Sequence, residues 1–339
     1  MKLITKEFAK EKYSQIDYKE MQVLIKEIKD IFQAQLTMEL DLLRVSAPLF
    51  VEAATGLNDD LSGSERKVEF TVKESEGTTL SIVQSLAKWK RVALHKYGFK
   101  TGEGLYTDMN AIRRDDVMDE THSFYVDQWD WEKIITREQR TPEYLKSVVE
   151  KIVKSIAITS RHIQSITKAK LPVISDKVFW IDSQTLLDMY PTKTPEEREY
   201  EIAKLHKTVF ITKIGPKLTD GVAHSMRSPD YDDWKLNGDI IFYHEVLDCA
   251  LELSSMGIRV DAESLKQQLK ATDKEYKLEK FEYHQNIRDD VLPLTIGGGI
   301  GQSRMCQLIL GRAHIGEVQA GYWKPEHIKI CEAHGIKLL

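Results

Sequence analysis

Two long helices set between runs of strand constrain the fold of this chain more than any other feature. Apolar residues recur along about 18–38 and again along about 143–166 at the spacing of a single helical face. The strands predicted between and after these helices are not each followed by a helix. A doubly wound parallel sheet needs that regular alternation, so the order predicts an α+β fold with a mostly antiparallel sheet flanked by helices.

The chain is predicted to form one domain, 1–339, because it contains no repeat, no low-complexity tract and no long linker rich in Pro, Gly and Ser. The shorter helices are predicted at 85–97, 195–207, 262–269 and 302–310, and the strands at 42–45, 80–83, 123–131, 178–181, 209–214 and 240–246, with one more strand leading into the glycines at 297. Thr194 and Asp261 precede two of these helices and are expected to cap them.

The charge balance and the cysteines narrow the class of protein. The formal net charge is -5, from 48 basic and 53 acidic residues, whereas a protein that binds along a nucleic-acid backbone is usually basic. The three cysteines form no CxxC pair, which argues against a disulfide framework or a structural zinc site and favours a reducing compartment. No apolar leader or membrane-length segment is found. A cytoplasmic protein without nucleic-acid or membrane partners is expected.

The most distinctive segment is the glycine-rich run 295–304. It lacks the GK[ST] of a phosphate-binding Walker loop, and its glycines do not fit the GxGxxG of a dinucleotide fingerprint. It therefore predicts a glycine-lined strand that passes into a helix with Arg304 in its first turn. Glycines allow a flat ring or a phosphate to approach the backbone, and a guanidinium binds phosphate or stacks on a base. A tight strand-to-helix turn with a surface arginine would explain the same residues.

Two further segments carry clustered polar residues. In a strand, Gln128, Asp130 and Glu132 point to one face, while Trp129 and Trp131 point to the other and are expected to anchor the strand in the core. An exposed sheet face would produce the same alternation.

The other segment contains Asp239, Glu252 and Arg259. The two carboxylates are expected on adjoining strands of a hairpin, where they could hold Mg²⁺ together with ATP phosphates. Arg259 follows in a predicted strand and could bind a carboxylate bidentately. A turn aspartate and a salt bridge remain the simpler explanation.

The order of these segments resembles the class II aminoacyl-tRNA synthetases. The stretch 113–116 (RRDD), followed by QxDxE at 128–132, resembles motif 2, and 297–304 resembles motif 3. The stretch 45–48 (VSAP), after a long helix, resembles motif 1, which forms the dimer interface and ends in proline. The stretches SLAKWKR, GEGLYT, VDQWDWE, PDYDDW, LNGDI, ELSSMGIRVD and TIGGGIGQSR are similar to those of the ammonia-dependent asparagine synthetase family over nearly the whole chain.

The resemblance implies that ATP adenylates aspartate and that ammonia then displaces AMP. It implies that Arg113 holds the α-phosphate, that Lys90 and Arg259 orient aspartate, and that Asp239 and Glu252 hold Mg²⁺. Further residues implied at the ATP site are His122, Ser123, Gly297, Gly299, Gly301 and Arg304. Further residues implied at the aspartate site are Ser85, Gln128, Asp130, Asp232 and Ser255. The chain departs from the wider synthetase pattern at Ala87, where the aspartate branch has glutamine, and at 302–303, where an acidic residue often precedes the arginine.

Ammonia arrives mostly as ammonium, so a carboxylate is needed to bind it and accept a proton; Asp59 and Asp232 are the candidates. An amidotransferase of the N-terminal-nucleophile type would need a cysteine at position 2, where the chain has Lys2. Free ammonia is therefore the expected nitrogen source. A homodimer without an anticodon-binding domain is implied by the family. Two alternatives stay open: a truncated synthetase that charges tRNA, and a paralogue that binds an amino acid without catalysis.

Overall fold

The computed structural model describes residues 16–61, 63 and 65–339. The expectation of no apolar leader rests partly on the charged N-terminal segment. That segment, which includes Lys2, lies outside the described residues. The helices are α1 (Tyr18–Leu40), α2 (Ala87–Lys96), α3 (Pro142–Ile166), α4 (Ser183–Met189), α5 (Pro195–His206), α6 (Ala262–Ala271), α7 (Lys277–Lys280), α8 (Glu282–Arg288), α9 (Gln302–Leu310) and α10 (Pro325–Ala333). Within the described ranges, no helix combines the length and apolarity needed to cross a membrane.

The strands form two sheets. Their bounds are β1 (Leu42–Arg44), β2 (Phe50–Glu52), β3 (Glu69–Thr71), β4 (Thr79–Ile82), β5 (Gly104–Ile112), β6 (Tyr125–Ile134), β7 (Phe179–Asp182), β8 (Thr208–Thr212), β9 (Asp232–His244), β10 (Cys249–Arg259) and β11 (Thr295–Gly301). The large sheet has the order β1-β5-β6-β11-β10-β9-β8-β7, and the small sheet has the order β2-β4-β3. Only the edge pairs β1–β5 and β7–β8 of the large sheet are parallel, so the prediction of a mostly antiparallel α+β fold is confirmed.

The helix ends follow the capping residues. Asp261 accepts a hydrogen bond from the backbone N–H of Ser264 at the start of α6, as predicted. Thr194 accepts one from the backbone N–H of Glu197, whose side chain accepts from the backbone N–H of Thr194, which completes the expected capping box of α5. These bonds satisfy amide groups that have no partner inside the helix.

The core lies under one face of the large sheet. The apolar faces of α1 and α3 pack on each other and share a hydrophobic cluster with the sheet. Trp129 and Trp131 of β6 belong to the same cluster and are fully buried, which confirms the predicted alternation of this strand. Side chains of β6 with the opposite parity, such as Gln128 and Asp130, therefore point to the other face of the sheet, where the site lies.

Four adjacent strands bring the polar segments together. Gly299 of β11 pairs with Asp130 of β6 on one side and with Ser255 of β10 on the other, and Ser255 pairs in turn with Asp239 of β9. Residues in one cross-strand row point to the same face, so segments far apart in the chain share one surface. The predicted hairpin that carries Asp239 and Glu252 is confirmed, because β9 and β10 are adjacent and antiparallel.

Some elements differ from the sequence-based expectation. The strand β5 was not expected, and β9 begins at Asp232 rather than at 240. The early part of β9 contains the polar residues Asp232, Asp233, Lys235 and Asn237, and these interrupt the apolar pattern by which strands are recognised. The helix expected at 85–97 begins at Ala87, because Ser85 accepts a hydrogen bond from the backbone N–H of Ala87 and stays outside the helix.

Candidate active site

A cavity of about 560 Å³ opens on the polar face of the large sheet. All but two of the predicted site residues line it. The lining residues among them are Asp59, Ser85, Lys90, Arg113, His122, Ser123, Gln128, Asp130, Asp232, Glu252, Ser255, Arg259, Gly299, Gly301 and Arg304. Segments predicted separately from the sequence thus converge on one concave surface, which is what a binding site for a ligand with several charged groups requires.

The two predicted residues that do not line the cavity lie directly beneath it. A Cβ added to Gly297 would overlap the carboxylate of Glu132 and lie 2.7 Å from Arg259 Nη2, so this glycine makes room for a buried ion pair rather than for a nucleotide. Asp239 is buried, and it reaches the lining through Ser255 and Arg227. The contact of Gly297 with ATP stays a prediction.

Two arginines in the lining are held only by backbone carbonyls. Arg113 donates to the carbonyl of Gln84 at 3.3 Å, and Arg304 donates to the carbonyls of Glu252 at 2.8 Å and Thr121 at 3.3 Å. Among the described residues, no carboxylate oxygen lies within 4.0 Å of either guanidinium. Their charges are therefore available for an anionic ligand.

The cations at the floor of the cavity are already paired. Lys90 donates to a carboxylate oxygen of Asp130 and to the carbonyls of Trp131 at 2.9 Å and Gly298 at 3.0 Å. An ammonium group has three donors, so a substrate that contacts Lys90 must replace one of these partners. Burial lowers the pKa of Lys90, against the opposing charges of Asp130 and Glu132.

Arg259 is held in the same way. Its Nε and Nη2 donate to Glu132, with Nη2 to Oε2 at 2.8 Å, and its Nη1 donates to Asp232. Burial would raise the pKa of Glu132, but the charges of Arg259 and Lys90 outweigh burial and lower it. Glu132 therefore stays ionised and orients both cations beneath the floor.

Asp239 and Glu252 form a carboxylate pair joined by one hydroxyl. Ser255 Oγ lies 2.7 Å from Asp239 Oδ1 and 2.8 Å from Glu252 Oε1. Burial raises the pKa of Asp239 to about 6, with Arg227 opposing and Glu252 adding to the rise. A cation stabilises two carboxylates this close, and oxygen ligands with room for phosphates suit Mg²⁺. Within the described part of the chain, no group of three or more His, Cys, Asp or Glu side chains forms a metal cluster.

The two candidates for a proton acceptor differ in their surroundings. Asp59 accepts hydrogen bonds from the Tyr231 hydroxyl and the Leu61 backbone N–H, each at 3.0 Å, and burial raises its pKa. Asp232 is paired with Arg259 and lies 3.6 Å from Arg227. A carboxylate neutralised by guanidinium groups is a weaker base than one held by neutral donors, so this geometry favours Asp59.

Several lining residues were not expected from the sequence. Asp127 accepts hydrogen bonds from Ser303 N at 3.0 Å and Ser303 Oγ at 2.8 Å, which ties β6 to the first turn of α9 beside Arg304. Gln319 joins the same network through Ser123, and Arg227 contacts Asp239 of the carboxylate pair. Asp127 lies beside the recognised motif 2 pattern, but Gln319 and Arg227 lie in loops without periodicity, where the sequence offers no signal.

Solved structures of other proteins share the fold of this chain. An asparaginyl-tRNA synthetase from Entamoeba histolytica in complex with asparaginyl-adenylate superposes with a TM-score of 0.62 at 12% sequence identity, covering 89% of this chain and 66% of that one. An asparaginyl-tRNA synthetase from Pyrococcus horikoshii complexed with asparaginyl-adenylate has a TM-score of 0.61 at 14% identity, covering 87% of this chain and 67% of that one. The chain has the fold of class II aminoacyl-tRNA synthetases.

Sequence comparison then identifies the family. The model of the aspartate-ammonia ligase family matches residues 19–335. An aspartate–ammonia ligase from Clostridium tetani is 54% identical over 330 residues, covering 97% of this chain and 96% of the relative. One from Ruminiclostridium cellulolyticum is 53% identical over 324 residues, covering 96% of each. This chain belongs to the aspartate–ammonia ligase family.

Proposed function

We propose that the chain converts L-aspartate, ATP and ammonia into L-asparagine, AMP and diphosphate through a β-aspartyl adenylate. The observation that carries the proposal is the charge pattern of one cavity. Arg113 and Arg304 have no carboxylate partner among the described residues, yet both influence Glu252. Burial alone would raise the pKa of Glu252, but the charges of Arg304, Arg227 and Arg113 outweigh burial, and the pKa is lowered. Cations and a carboxylate pair together suit a nucleotide triphosphate with its metal ion.

In the first half-reaction, an oxygen of the aspartate side-chain carboxylate attacks the α-phosphorus of ATP, and the bond to diphosphate breaks. Both reactants are anions, so the residues must neutralise charge before the atoms can approach. Arg113 is proposed to hold the α-phosphate and Arg304 to contact the nucleotide, where they stabilise the charge of the transition state. Mg²⁺ held by Asp239 and Glu252 would supply further neutralisation of the phosphates when bound.

Aspartate is proposed to lie over the floor of the cavity, where Lys90 and Arg259 are paired with carboxylates. The floor offers both signs of charge, and an amino acid also carries both. Lys90 and Arg259 are proposed to orient a carboxylate of aspartate, and Asp130 and Asp232 its amino group. Ser85, Gln128 and Ser255 line the same surface and are proposed to hold the remaining polar groups. Reactants held in line gain a large part of the rate enhancement from position alone.

In the second half-reaction, ammonia attacks the carbonyl carbon of the adenylate, and AMP leaves. We propose that Asp59 binds ammonium and accepts its proton, because its oxygens are held by a hydroxyl and a backbone N–H rather than by an arginine. Asp232 is proposed instead to orient Arg259 and Arg227, with which it is paired. His122 is held by Asp119 at 2.9 Å and is proposed to lie at the ATP side of the cavity with Ser123.

The products test the reaction directly. With purified protein, aspartate, ATP, Mg²⁺ and an ammonium salt, we expect one diphosphate and one AMP for each asparagine, without added tRNA. Glutamine is not expected to replace ammonia. ADP and phosphate as products would rule out the adenylate route, and labelled aspartyl-tRNA without free asparagine would favour the alternative of a tRNA-charging enzyme. Failure to bind ATP in calorimetry would favour the non-catalytic paralogue.

Gly299 gives a test of the aspartate position. A Cβ at this residue would overlap Gln128 Oε1, so Gly299→Ala is expected to move that amide while the fold is kept. We expect kcat/KM for aspartate to fall by roughly 10- to 100-fold, because small displacements of positioning groups have effects of that order. Gly321→Ala is the matched control, since its added Cβ meets no atom within 4 Å. Unchanged kinetics of a folded Gly299→Ala would remove Gln128 from the aspartate site.

We also propose that two copies of the chain form a homodimer through the region of β1 and the small sheet. Leu43, Leu49, Phe50 and Phe70 are between 36% and 62% exposed there, beside the stretch that resembles motif 1. Apolar side chains concentrated in one region mark an interaction surface. Light scattering after gel filtration is expected to give the mass of two chains, and Phe50→Glu to give the mass of one; a wild-type monomer would contradict the proposal. The cytoplasmic location stays a prediction.

A further inference from the structure

Arg227 contacts Asp239, one member of the carboxylate pair that is proposed to hold Mg²⁺. It lies in the loop 213–231 between β8 and β9, and its side chain is 7% exposed. Its Nη2 donates to Asp239 Oδ1, and its Nη1 lies 3.6 Å from Asp232 Oδ2. The guanidinium therefore supplies at Asp239 the positive charge that a divalent cation would supply.

The guanidinium and a divalent cation compete for the same carboxylate. Asp239 Oδ1 lies within hydrogen-bond distance of both Arg227 Nη2 and Ser255 Oγ, so little lone-pair capacity remains on that oxygen. Like charges a few ångströms apart in a buried site repel strongly, since the effective dielectric constant there is far below that of water. A metal ion can bind Asp239 only if Arg227 moves away or gains a new anionic partner.

Arg227 has a donor group that is available for a new hydrogen-bond partner. Its Nε is buried and has no hydrogen-bond partner among the residues that the structure describes, so one donor of the guanidinium group is unsatisfied there. A buried donor without a partner is costly, and a phosphate oxygen would satisfy it together with part of the charge. Arg227 also lines the cavity, where the phosphates of ATP are proposed to bind.

The loop around Arg227 is anchored on both sides, which limits a rearrangement to a few residues. His224 Nε2 lies 2.9 Å from Glu199 of α5, and Asp230 is bonded to Lys277 at 2.8 Å and to His284 at 3.0 Å. The segment 225–229 spans these anchors, and Met226 within it is 70% exposed. The Arg227 side chain can therefore change partners while the rest of the loop keeps its contacts.

We propose that Arg227 is an internal cation that competes with Mg²⁺ for Asp239, so that the metal binds the carboxylate pair only together with ATP, whose phosphates take over the guanidinium. The proposal deepens the metal site of the proposed function and rests on it. It implies ordered binding: metal alone binds weakly, and metal carried by a nucleotide binds well. It also keeps the buried carboxylates neutralised at every stage of the cycle.

Manganese binding without nucleotide tests the proposal, since Mn²⁺ replaces Mg²⁺ at oxygen ligands and free Mn²⁺ is measured by electron paramagnetic resonance. Arg227→Gln is expected to bind Mn²⁺ at least about tenfold more tightly than the wild type, because a competing charge has been removed. Arg227→Lys keeps the charge and is expected to bind as weakly as the wild type. Arg161→Gln removes an exposed arginine from α3 and is the control for net charge.

The outcomes separate this inference from the function on which it rests. If Arg227→Gln gains affinity and the added mutation Asp239→Asn abolishes the gain, the competition is located at Asp239. Equal Mn²⁺ affinity of the wild type and a folded Arg227→Gln would overturn the inference, as would a gain that survives Asp239→Asn. Neither result depends on asparagine synthesis, whose failure would appear in the product assay alone. Circular dichroism and a melting curve establish that each variant is folded. Tighter Mn²⁺ binding by Arg227→Lys than by the wild type would also count against a charge effect.

Discussion

Arg113→Ala is expected to lower aspartate-dependent ATP–diphosphate exchange by about 10²–10³-fold while the protein folds normally, the usual effect of removing one group that stabilises transition-state charge. The side chain lines the cavity, and within the described part of the chain its only hydrogen bond is to the backbone carbonyl of Gln84 at 3.3 Å. Its removal leaves no buried carboxylate unpaired among the described residues, so the loss falls on catalysis rather than on stability. Exchange of labelled diphosphate into ATP measures the adenylation step alone.

Arg114→Ala provides the matched control. Arg114 is the next residue in the chain, carries the same charge, is exposed and does not line the cavity. Its exchange rate is expected to remain close to that of the wild type. Full exchange by a folded Arg113→Ala would remove this residue from the α-phosphate role and leave Arg304 as the candidate, since it is the other cavity-lining arginine without a carboxylate partner among the described residues.

Asp59→Asn is expected to separate the two half-reactions. The amide cannot accept a proton from ammonium, so asparagine formation should fall by about 10²–10⁴-fold, the range that general base catalysis contributes. Adenylation does not need this group, and ATP–diphosphate exchange is expected to persist. Because burial raises the pKa of Asp59, the wild-type amidation rate is expected to fall as the pH is lowered through that raised pKa. Both rates can be measured on the same preparation.

Asp60→Asn is the control for the second experiment. Asp60 is the adjacent residue, but it is bonded to Lys67 at 2.6 Å and Lys277 at 2.9 Å and does not line the cavity. A smaller effect on amidation is expected from it. If Asp59→Asn formed asparagine normally while Asp232→Asn retained exchange and lost amidation, the proton acceptor would be Asp232.

The sequence predicted the local structure well where side-chain direction follows from the chain alone. The alternation of Trp129 and Trp131 with polar residues placed the tryptophans in the core, and the glycine-lined strand followed by a helix with Arg304 in its first turn is found as expected. The carboxylates Asp239 and Glu252 were expected on one hairpin, and they lie there. The assignment of these segments to a family depended on their order along the chain.

The sequence did not reveal contacts with partners far away along the chain. Lys90 stays a predicted aspartate contact, and only the structure shows that its three donors are bonded to groups on β6 and β11. Gly297 stays a predicted nucleotide contact, and only the structure shows that its missing Cβ makes room for the pair of Glu132 and Arg259. Arg227 carried no signal at all, because a loop arginine has no periodicity and its carboxylate partner is on another element.

The sequence by itself determined the helices and strands, the face that each buries and the residue types available for chemistry, because those properties arise from the spacing of neighbours along the chain. Only the tertiary structure decided which charges are paired. Arg113 and Arg304 contact carbonyls, whereas Arg227, Arg259 and Lys90 contact carboxylates brought from other strands. A charge depends on what lies within a few ångströms in space, and the sheet order sets those neighbours.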